Sequence, residues 1–127
     1  MIGTIAAIGI GGGLGALARF GVNNVALTLF GLTFPWGTVI VNIIGSFLMG
    51  LAIAKFAQID GLAQEWRSFI TTGFLGGFTT FSAFSLDFVT LWERGEMISA
   101  LAYMLVSVIG SVLALFLALW IMRGLAA

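Results

Sequence analysis

The chain has 127 residues, of which 61% are hydrophobic and 8% charged, and its five basic residues balance its five acidic ones. Soluble domains are nearer half apolar and a quarter charged, so this composition indicates an integral membrane protein. Histidine and cysteine are both absent, which excludes disulfides, thiol catalysis and histidine-based acid–base chemistry, and the balanced charge lacks the basic excess of a nucleic-acid binder. We therefore predict neither an enzyme nor a nucleic-acid-binding protein.

Four segments are long and apolar enough to cross the bilayer, which takes about 20 helical residues for roughly 30 Å of hydrocarbon. They cover about residues 2–29, 36–57, 67–91 and 97–122. The connections between them are short, so successive helices are expected to be antiparallel neighbours. The first apolar run has no basic region before it and is too long for a signal peptide, so we interpret it as retained. The predicted fold is all-α: one four-helix transmembrane domain over residues 1–127.

Small residues spaced four apart recur in the first, third and fourth predicted spans, and this spacing lets helix backbones approach closely in lipid. The pairs are Gly9/Gly13, Gly11/Gly15, Gly73/Gly77, Ser107/Ser111 and Gly110/Ala114. Each pair serves a contact within one chain or a contact between two chains. Their recurrence, in a bundle too small to enclose a pore by itself, favours a dimer that uses both kinds of contact.

Arg19 lies inside the first apolar run, where an arginine at the helix centre costs about 2.5–3.5 kcal/mol on insertion scales. Two interpretations remain open for it. As a structural residue, it snorkels to the interface or caps carbonyl groups at the end of another helix. As a functional residue, its positive charge attracts anions at the vestibule of a pore.

The remaining basic residues only weakly indicate which way the chain is oriented in the membrane. Lys55, Arg67 and Arg123 fall on the same side as the N-terminus, and Arg94 falls on the other side. This small positive-inside bias permits insertion in both orientations, so two copies of the chain can pair antiparallel. The same count also fits an ordinary protein with both termini in the cytoplasm.

The second span, around PWGTVIVNIIGS, carries one strongly polar side chain, Asn42, with Ser46 on the same helical face four residues later. Asn42 forms either an interhelical hydrogen bond, worth about 0.6 kcal/mol in membranes, or an amide donor facing an aqueous path. In the fourth span Tyr103, Ser107 and Ser111 form one polar stripe. That stripe fits either helix contacts or a file of hydrogen-bond donors.

The third span contains GFLGGFTTFSAFSLDF at residues 73–88. Glycines followed by two threonines, over residues 76–80, disfavour continuous helix, so we predict a break there. A break at membrane depth frees backbone carbonyl groups, which near a dimer axis can hold a hard cation such as Na⁺. After it, Phe81, Phe84 and Phe88 share a helical face. Their rings either pack against neighbours or turn their weakly positive edges toward an anion.

The segment GFLGGFTTFSAFS resembles the signature of the Fluc/CrcB fluoride-channel family, and the other motifs above occur in the family's order and spacing. The resemblance implies an antiparallel, dual-topology homodimer in the bacterial inner membrane that exports fluoride passively. It implies a vestibule at Arg19 and a structural Na⁺ at the dimer axis, held by the backbone carbonyls of Gly76 and Thr79. The fluoride pathway that it implies consists of Asn42, Phe81, Phe84, Tyr103, Ser107 and Ser111.

Two other classes of protein compete with this interpretation. A small dual-topology multidrug exporter also has four helices, but proton-coupled export of cations needs a carboxylate deep in the membrane. The only acid inside a predicted span is Asp87, near the end of the third. A non-transporting assembly subunit is the second alternative, and in it the polar stripes would serve only helix association.

Overall fold

The computed structural model describes residues 1–126, and all regular secondary structure in them is helical. The elements are α1 (Ile2–Phe30), α2 (Trp36–Phe56), α3 (Gln64–Ser68), a π-helix (Phe69–Leu75), α4 (Gly76–Phe78), α5 (Ser82–Glu93) and α6 (Met97–Ala126). α3, the π-helix and α4 follow one another directly, and short non-helical connections join the other elements. Gly31 and Gly95, with φ of 78° and 81°, adopt the left-handed conformation in two of these connections, which glycine reaches without steric cost.

The prediction of four membrane-spanning helices is confirmed by their length and composition. The helices that are long and apolar enough to cross a membrane are Ile2–Phe30, Trp36–Phe56, Gln64–Glu93 and Met97–Leu125. The third contains α3, the π-helix, α4 and α5, and it starts three residues before the predicted span. Large apolar side chains such as Phe20 and Trp120 lie on the outer surface, as expected where the solvent is lipid.

The buried core is small and lies at one end of the bundle. Val39, Leu91, Ala100 and Tyr103 form it, and four partly buried side chains pack against it: Phe34, Ile43, Phe84 and Phe88. This core joins α2, α5 and α6. None of these side chains comes from α1, so α1 must be held by another kind of contact.

Glycine holds α1 against the third span. A Cβ atom on Gly11 would lie 2.6 Å from the carbonyl oxygen of Phe69, and one on Gly15 would overlap the carbonyl oxygen of Phe74. On the facing element, a Cβ atom on Gly77 would overlap a backbone oxygen of α1. The pairs Gly11/Gly15 and Gly73/Gly77 therefore serve contacts within the chain, where the absence of side chains lets the backbones touch.

Other small residues do not lie at the helix contacts within the chain, or lie at a contact that the spacing did not predict. Gly9 and Gly13 are exposed, and a methyl group added at either position would meet no atom of another element within 4 Å. Between α2 and α6 a close approach falls at Gly50, where a Cβ atom would lie 2.7 Å from the carbonyl oxygen of Leu115. The sequence prediction omitted Gly50, although Ser46 and Ala54 stand four residues before and after it. The second span therefore has the same small-residue spacing as the other three.

Replacing Gly15 with alanine should destabilise the protein, because the new methyl group would overlap backbone that a side-chain rotation cannot move. We expect the free energy of unfolding to fall by about 1–3 kcal/mol. Chemical denaturation in detergent micelles, followed by tryptophan fluorescence, measures the change. The matched control is Gly21→Ala in the same helix, where the methyl group meets no atom within 4 Å. Equal stability of the two variants would contradict the close contact described here.

Candidate functional site

The third span contains a short segment that is not helical. The α4 helix ends at Phe78, Thr79 has extended backbone with φ −85° and ψ 160°, and α5 begins at Ser82. Threonine hydroxyls satisfy backbone groups on both sides of it. Thr79 Oγ1 donates to the carbonyl oxygen of Leu75 at 2.9 Å, and Thr80 Oγ1 accepts a hydrogen bond from the Ala83 N–H at 3.1 Å.

Asn42 of α2 binds the backbone of this segment through both of its polar groups. Its Nδ2 donates to the carbonyl oxygen of Thr80 at 3.0 Å, and its Oδ1 accepts from the Thr80 N–H at 2.8 Å. The side-chain amide thus pairs with Thr80 as a neighbouring strand would. Because an asparagine amide has two N–H donors, one remains beyond the bond to Thr80. Asn42 therefore makes the interhelical bond and also keeps a donor.

A cavity of about 260 Å³ lies beside this segment, between α2, α5 and α6. Hydroxyl groups, one amide and two phenylalanine rings supply most of its lining. The lining residues are Asn42, Ser46, Thr79, Thr80, Phe81, Phe84, Ser107, Val108, Ser111 and Val112. The fold thus brings together every predicted pathway residue except Tyr103, from three separate helices. It adds Ser46, which sequence analysis placed on the face of Asn42 without assigning it to the pathway.

Two serine hydroxyls in the cavity wall have no hydrogen-bond partner. Ser107 Oγ and Ser111 Oγ are both buried, and in the described part of the chain no donor or acceptor reaches either of them. A buried polar group without a partner costs about 1–3 kcal/mol. Ser107 and Ser111, one helical turn apart, both line the cavity, so their hydroxyls are candidate donors to something polar that enters it.

The two phenylalanine rings at the cavity differ in burial. Phe81 is 78% exposed, whereas Phe84 is partly buried. Their ring centroids lie 5.5 Å apart with the planes inclined at 46°. Phe88, the third member of the predicted stripe, lies away from the cavity and stacks on Trp92. The exposure of Phe81 means that this ring contributes little to packing within one chain.

Tyr103 is fully buried and does not line the cavity. Its hydroxyl donates to Asp87 Oδ2 at 3.0 Å, and the Thr38 hydroxyl donates to the same oxygen at 2.7 Å. Its ring stacks on Phe84, with centroids 5.2 Å apart. The sequence pattern did not predict this three-helix contact. The signal for it was the carboxyl group itself, because an acid inside a span needs donors from neighbouring helices.

Arg19 of α1 does not line the cavity. Its Nε–H donates to the carbonyl oxygen of Gly77 at 3.1 Å. This contact matches the interpretation in which Arg19 caps carbonyl groups at a helix end. Next to it, the carbonyl oxygens of Gly76 and Thr79 accept no hydrogen bond from any residue between 1 and 126.

The site contains no conventional metal ligands. Residues 1–126 hold no group of three or more histidine, cysteine, aspartate or glutamate side chains that could bind a metal ion. The uncommitted oxygens near the non-helical segment are therefore backbone carbonyls, which suit a hard cation without bringing a formal charge.

These features define a class of protein: a small helical membrane protein with an interrupted helix beside a largely apolar cavity, into whose lining serine, threonine and asparagine residues are set. Over residues 6–119 the chain matches the sequence profile of the family described as "CrcB-like protein, Camphor Resistance (CrcB)". The chain belongs to this CrcB family. The resemblance inferred from its motifs is thereby confirmed.

Similar proteins match nearly the whole chain. A "Fluoride-specific ion channel FluC" of Mesorhizobium japonicum is 57% identical over 116 residues, which cover 91% of this chain and 93% of that protein. A protein of the same name from Granulibacter bethesdensis is 53% identical, covering 91% of each chain. Another, from a Chelativorans species, is 50% identical and covers 91% of this chain and 93% of its own length.

Proposed function

We propose that this protein is a fluoride-selective ion channel of the bacterial plasma membrane, which lets cytoplasmic fluoride leave the cell passively and so gives resistance to it. Membership of the CrcB family and the names of its relatives support this function. The observation that carries it in this chain is the pair of unpartnered hydroxyls, Ser107 and Ser111, in a cavity with Asn42. Conduction involves no catalytic step, so the protein is not an enzyme.

The chemistry of the cavity suits a small anion. Fluoride is strongly hydrated, so a pore must replace its water with several hydrogen-bond donors that bind it weakly enough for release. In the proposed pathway, Asn42, Ser107 and Ser111 supply N–H and O–H donors. Phe81 and Phe84 supply ring edges, which are weakly positive. Tyr103, one turn further along α6, is proposed to support the pathway through its ring, which stacks on that of Phe84.

The absence of a full positive charge from the cavity lining favours conduction over tight binding. A unit charge 4 Å from an anion contributes about 4 kcal/mol at an effective dielectric constant of 20. Each 1.4 kcal/mol changes a dissociation constant tenfold, so a cation in the narrow part would slow release by roughly a thousandfold. Arg19 lies outside the cavity. Its charge is proposed to attract anions at the vestibule without trapping them.

The alternative of a multidrug exporter has less support. Such a protein needs a carboxyl group that is free to exchange a proton for a cationic substrate. Asp87 instead accepts hydrogen bonds from Thr38 and Tyr103, and it does not line the cavity with the unpartnered serines. A purely structural subunit would gain nothing from those buried, unpartnered hydroxyls.

We further propose that two copies associate as an antiparallel homodimer. Non-helical backbone at membrane depth is tolerated only where protein or a water-filled cavity covers it. Here the exposed surface beside that backbone includes Phe81 and Ser82, and Gly76 is exposed as well. A second copy would cover this surface. Gly9 and Gly13, where an added methyl group would meet no other element of the chain, offer α1 a close approach to the partner.

The dimer would place a Na⁺ site on its axis. We propose that the carbonyl oxygens of Gly76 and Thr79 from both copies hold this ion. Neither oxygen accepts a hydrogen bond within residues 1–126, and hard cations take oxygen ligands, backbone carbonyls among them. The carbonyl oxygens of Gly76 and Thr79 are therefore suitable ligands for Na⁺. When bound, the ion would supply a structural link between the two interrupted helices.

The function is tested by ion release from liposomes that contain only this protein. Fluoride should leave quickly and chloride hardly at all. Ser107→Ala and Ser111→Ala should each lower the fluoride flux by about tenfold or more, because a hydrogen bond to a charged group is worth about 1.5–3 kcal/mol.

The same serine variants separate a conduction role from a structural one. Since neither hydroxyl has a partner to lose, both variants should unfold at the same denaturant concentration as the parent, or at a higher one. Ser99→Ala, on the same helix but outside the cavity, is the matched control and should leave flux unchanged. Comparable fluoride and chloride release would refute the channel proposal, and unaltered flux in both serine variants would refute the pathway.

The antiparallel arrangement is tested by labelling single cysteines, which is straightforward because the chain has none of its own. We expect Gln58→Cys and Thr33→Cys, at opposite ends of the bundle, each to react with an impermeant reagent from one side in about half of the molecules. Complete labelling of one position and none of the other would show a fixed orientation.

The Na⁺ site is tested by removing that ion during purification. Replacing Na⁺ with N-methylglucamine, which is too large for a four-carbonyl cage, should increase the monomer fraction and lower the thermal unfolding midpoint. Light scattering measures the first quantity and tryptophan fluorescence the second. Returning Na⁺ should restore both. An unchanged monomer fraction and midpoint would contradict the proposal.

A further inference from the structure

We propose that Arg19 is a positioning residue, whose Nε–H fixes the backbone of residues 76–80 independently of its charge. The inference deepens the proposed function and rests on it, because the fixed backbone is part of the pathway and of the Na⁺ site proposed above. It goes beyond a vestibule role, in which only the positive charge of Arg19 would act on the ion.

Two side chains from two different helices hold the segment at its two ends. Arg19 of α1 donates to the carbonyl oxygen of Gly77. Asn42 of α2 binds both backbone groups of Thr80. Only Phe78 and Thr79 lie between these two points of attachment. The pair therefore defines the path of the backbone where it leaves α4 and where it approaches α5.

Arg19 and Asn42 determine which carbonyl oxygens of residues 76–80 accept a hydrogen bond and which remain free to bind an ion. The oxygens of Gly77 and Thr80 are occupied by Arg19 and Asn42, whereas those of Gly76 and Thr79 accept no hydrogen bond in residues 1–126. The Gly76 peptide group adjoins Gly77 and that of Thr79 adjoins Thr80, so the two attachments limit how the uncommitted carbonyl groups can rotate.

Gly77 is the position where such an attachment matters most. It must lack a side chain, because a Cβ atom there would overlap a backbone oxygen of Gly12. Glycine restricts backbone rotation less than any other residue. Gly77 also stands one position before the end of α4. The helix therefore does not continue far enough to supply an N–H donor for its carbonyl oxygen. Without Arg19, this oxygen would be unsatisfied at membrane depth.

The guanidinium group can serve the attachment and the vestibule together. It carries five N–H donors, and the hydrogen bond to Gly77 uses only the one on Nε. The four N–H groups on the terminal nitrogens stay available to an anion. The two roles therefore depend on different parts of the side chain, and substitutions can separate them.

The test compares Arg19→Gln with Arg19→Met. Glutamine Nε2 is separated from the backbone by the same number of bonds as arginine Nε, so it retains a donor at that position without the charge. Methionine has a similar length and no donor. We measure backbone amide hydrogen exchange over residues 77–83 in purified protein, and fluoride flux from liposomes at saturating and at low fluoride.

Arg19→Gln should keep the parent's exchange protection and its flux at saturating fluoride, and lose flux only at low fluoride. Arg19→Met should lose protection over residues 77–83 and lose flux by about tenfold or more at every fluoride concentration, because misplacement by about 1 Å has effects of this size. Arg94→Met, in an exposed turn, is the control and should leave both measurements unchanged.

Equal exchange protection in the glutamine and methionine variants would overturn the inference. If Arg19→Met does not fold, a folded and protected Arg19→Gln supports it, and failure of both variants to fold overturns it. Hydrogen exchange does not depend on conduction. A parent protein that fails to conduct fluoride would thus refute the proposed function, while the exchange comparison would still decide whether Arg19 positions the backbone.

Discussion

The structure depends on one constraint: a backbone polar group inside a bilayer must find its partner within the protein. The third span departs from regular helix at Thr79, whose backbone is extended, and the surrounding side chains are arranged to compensate. Asn42 pairs with both backbone groups of Thr80, Arg19 pairs with the Gly77 carbonyl, and the two threonine hydroxyls bind neighbouring backbone. Polar residues that look unfavourable in an apolar sequence are therefore what makes the non-helical segment stable.

The proposed function depends on the polar groups that these hydrogen bonds leave unpaired. Within residues 1–126, Ser107 and Ser111 of the cavity lining keep unpartnered hydroxyls, and the Gly76 and Thr79 carbonyl oxygens accept no hydrogen bond. Each costs folding free energy in the isolated chain. An anion in the cavity and a cation at the proposed axis would each recover part of that free energy. Since the groups proposed to bind the anion carry no formal charge, its binding would be weak enough for it to leave.

Close backbone contact makes this arrangement possible in so few residues. The core around Tyr103 joins only α2, α5 and α6, and α1 reaches the third span through glycine. At Gly11 and Gly15 the two backbones lie too close for even a methyl group. This proximity brings Arg19 to Gly77, because a longer separation would place the carbonyl beyond the reach of Nε. The glycines and the arginine of α1 thus act together.

The sequence by itself determined the membrane class, the four spans and the family, because these depend on hydropathy, segment length and motif order, which are local properties. It also identified Asn42, Phe81, Phe84, Ser107 and Ser111, which meet at one cavity. It left the role of Arg19 open between two interpretations, and it missed the contact of Asp87 with Thr38 and Tyr103. Only the tertiary structure decided which small-residue pairs meet within the chain, and which hydroxyls keep a partner. The physical reason is that a hydrogen bond between helices depends on their relative rotation and separation, which side-chain spacing along one helix does not specify.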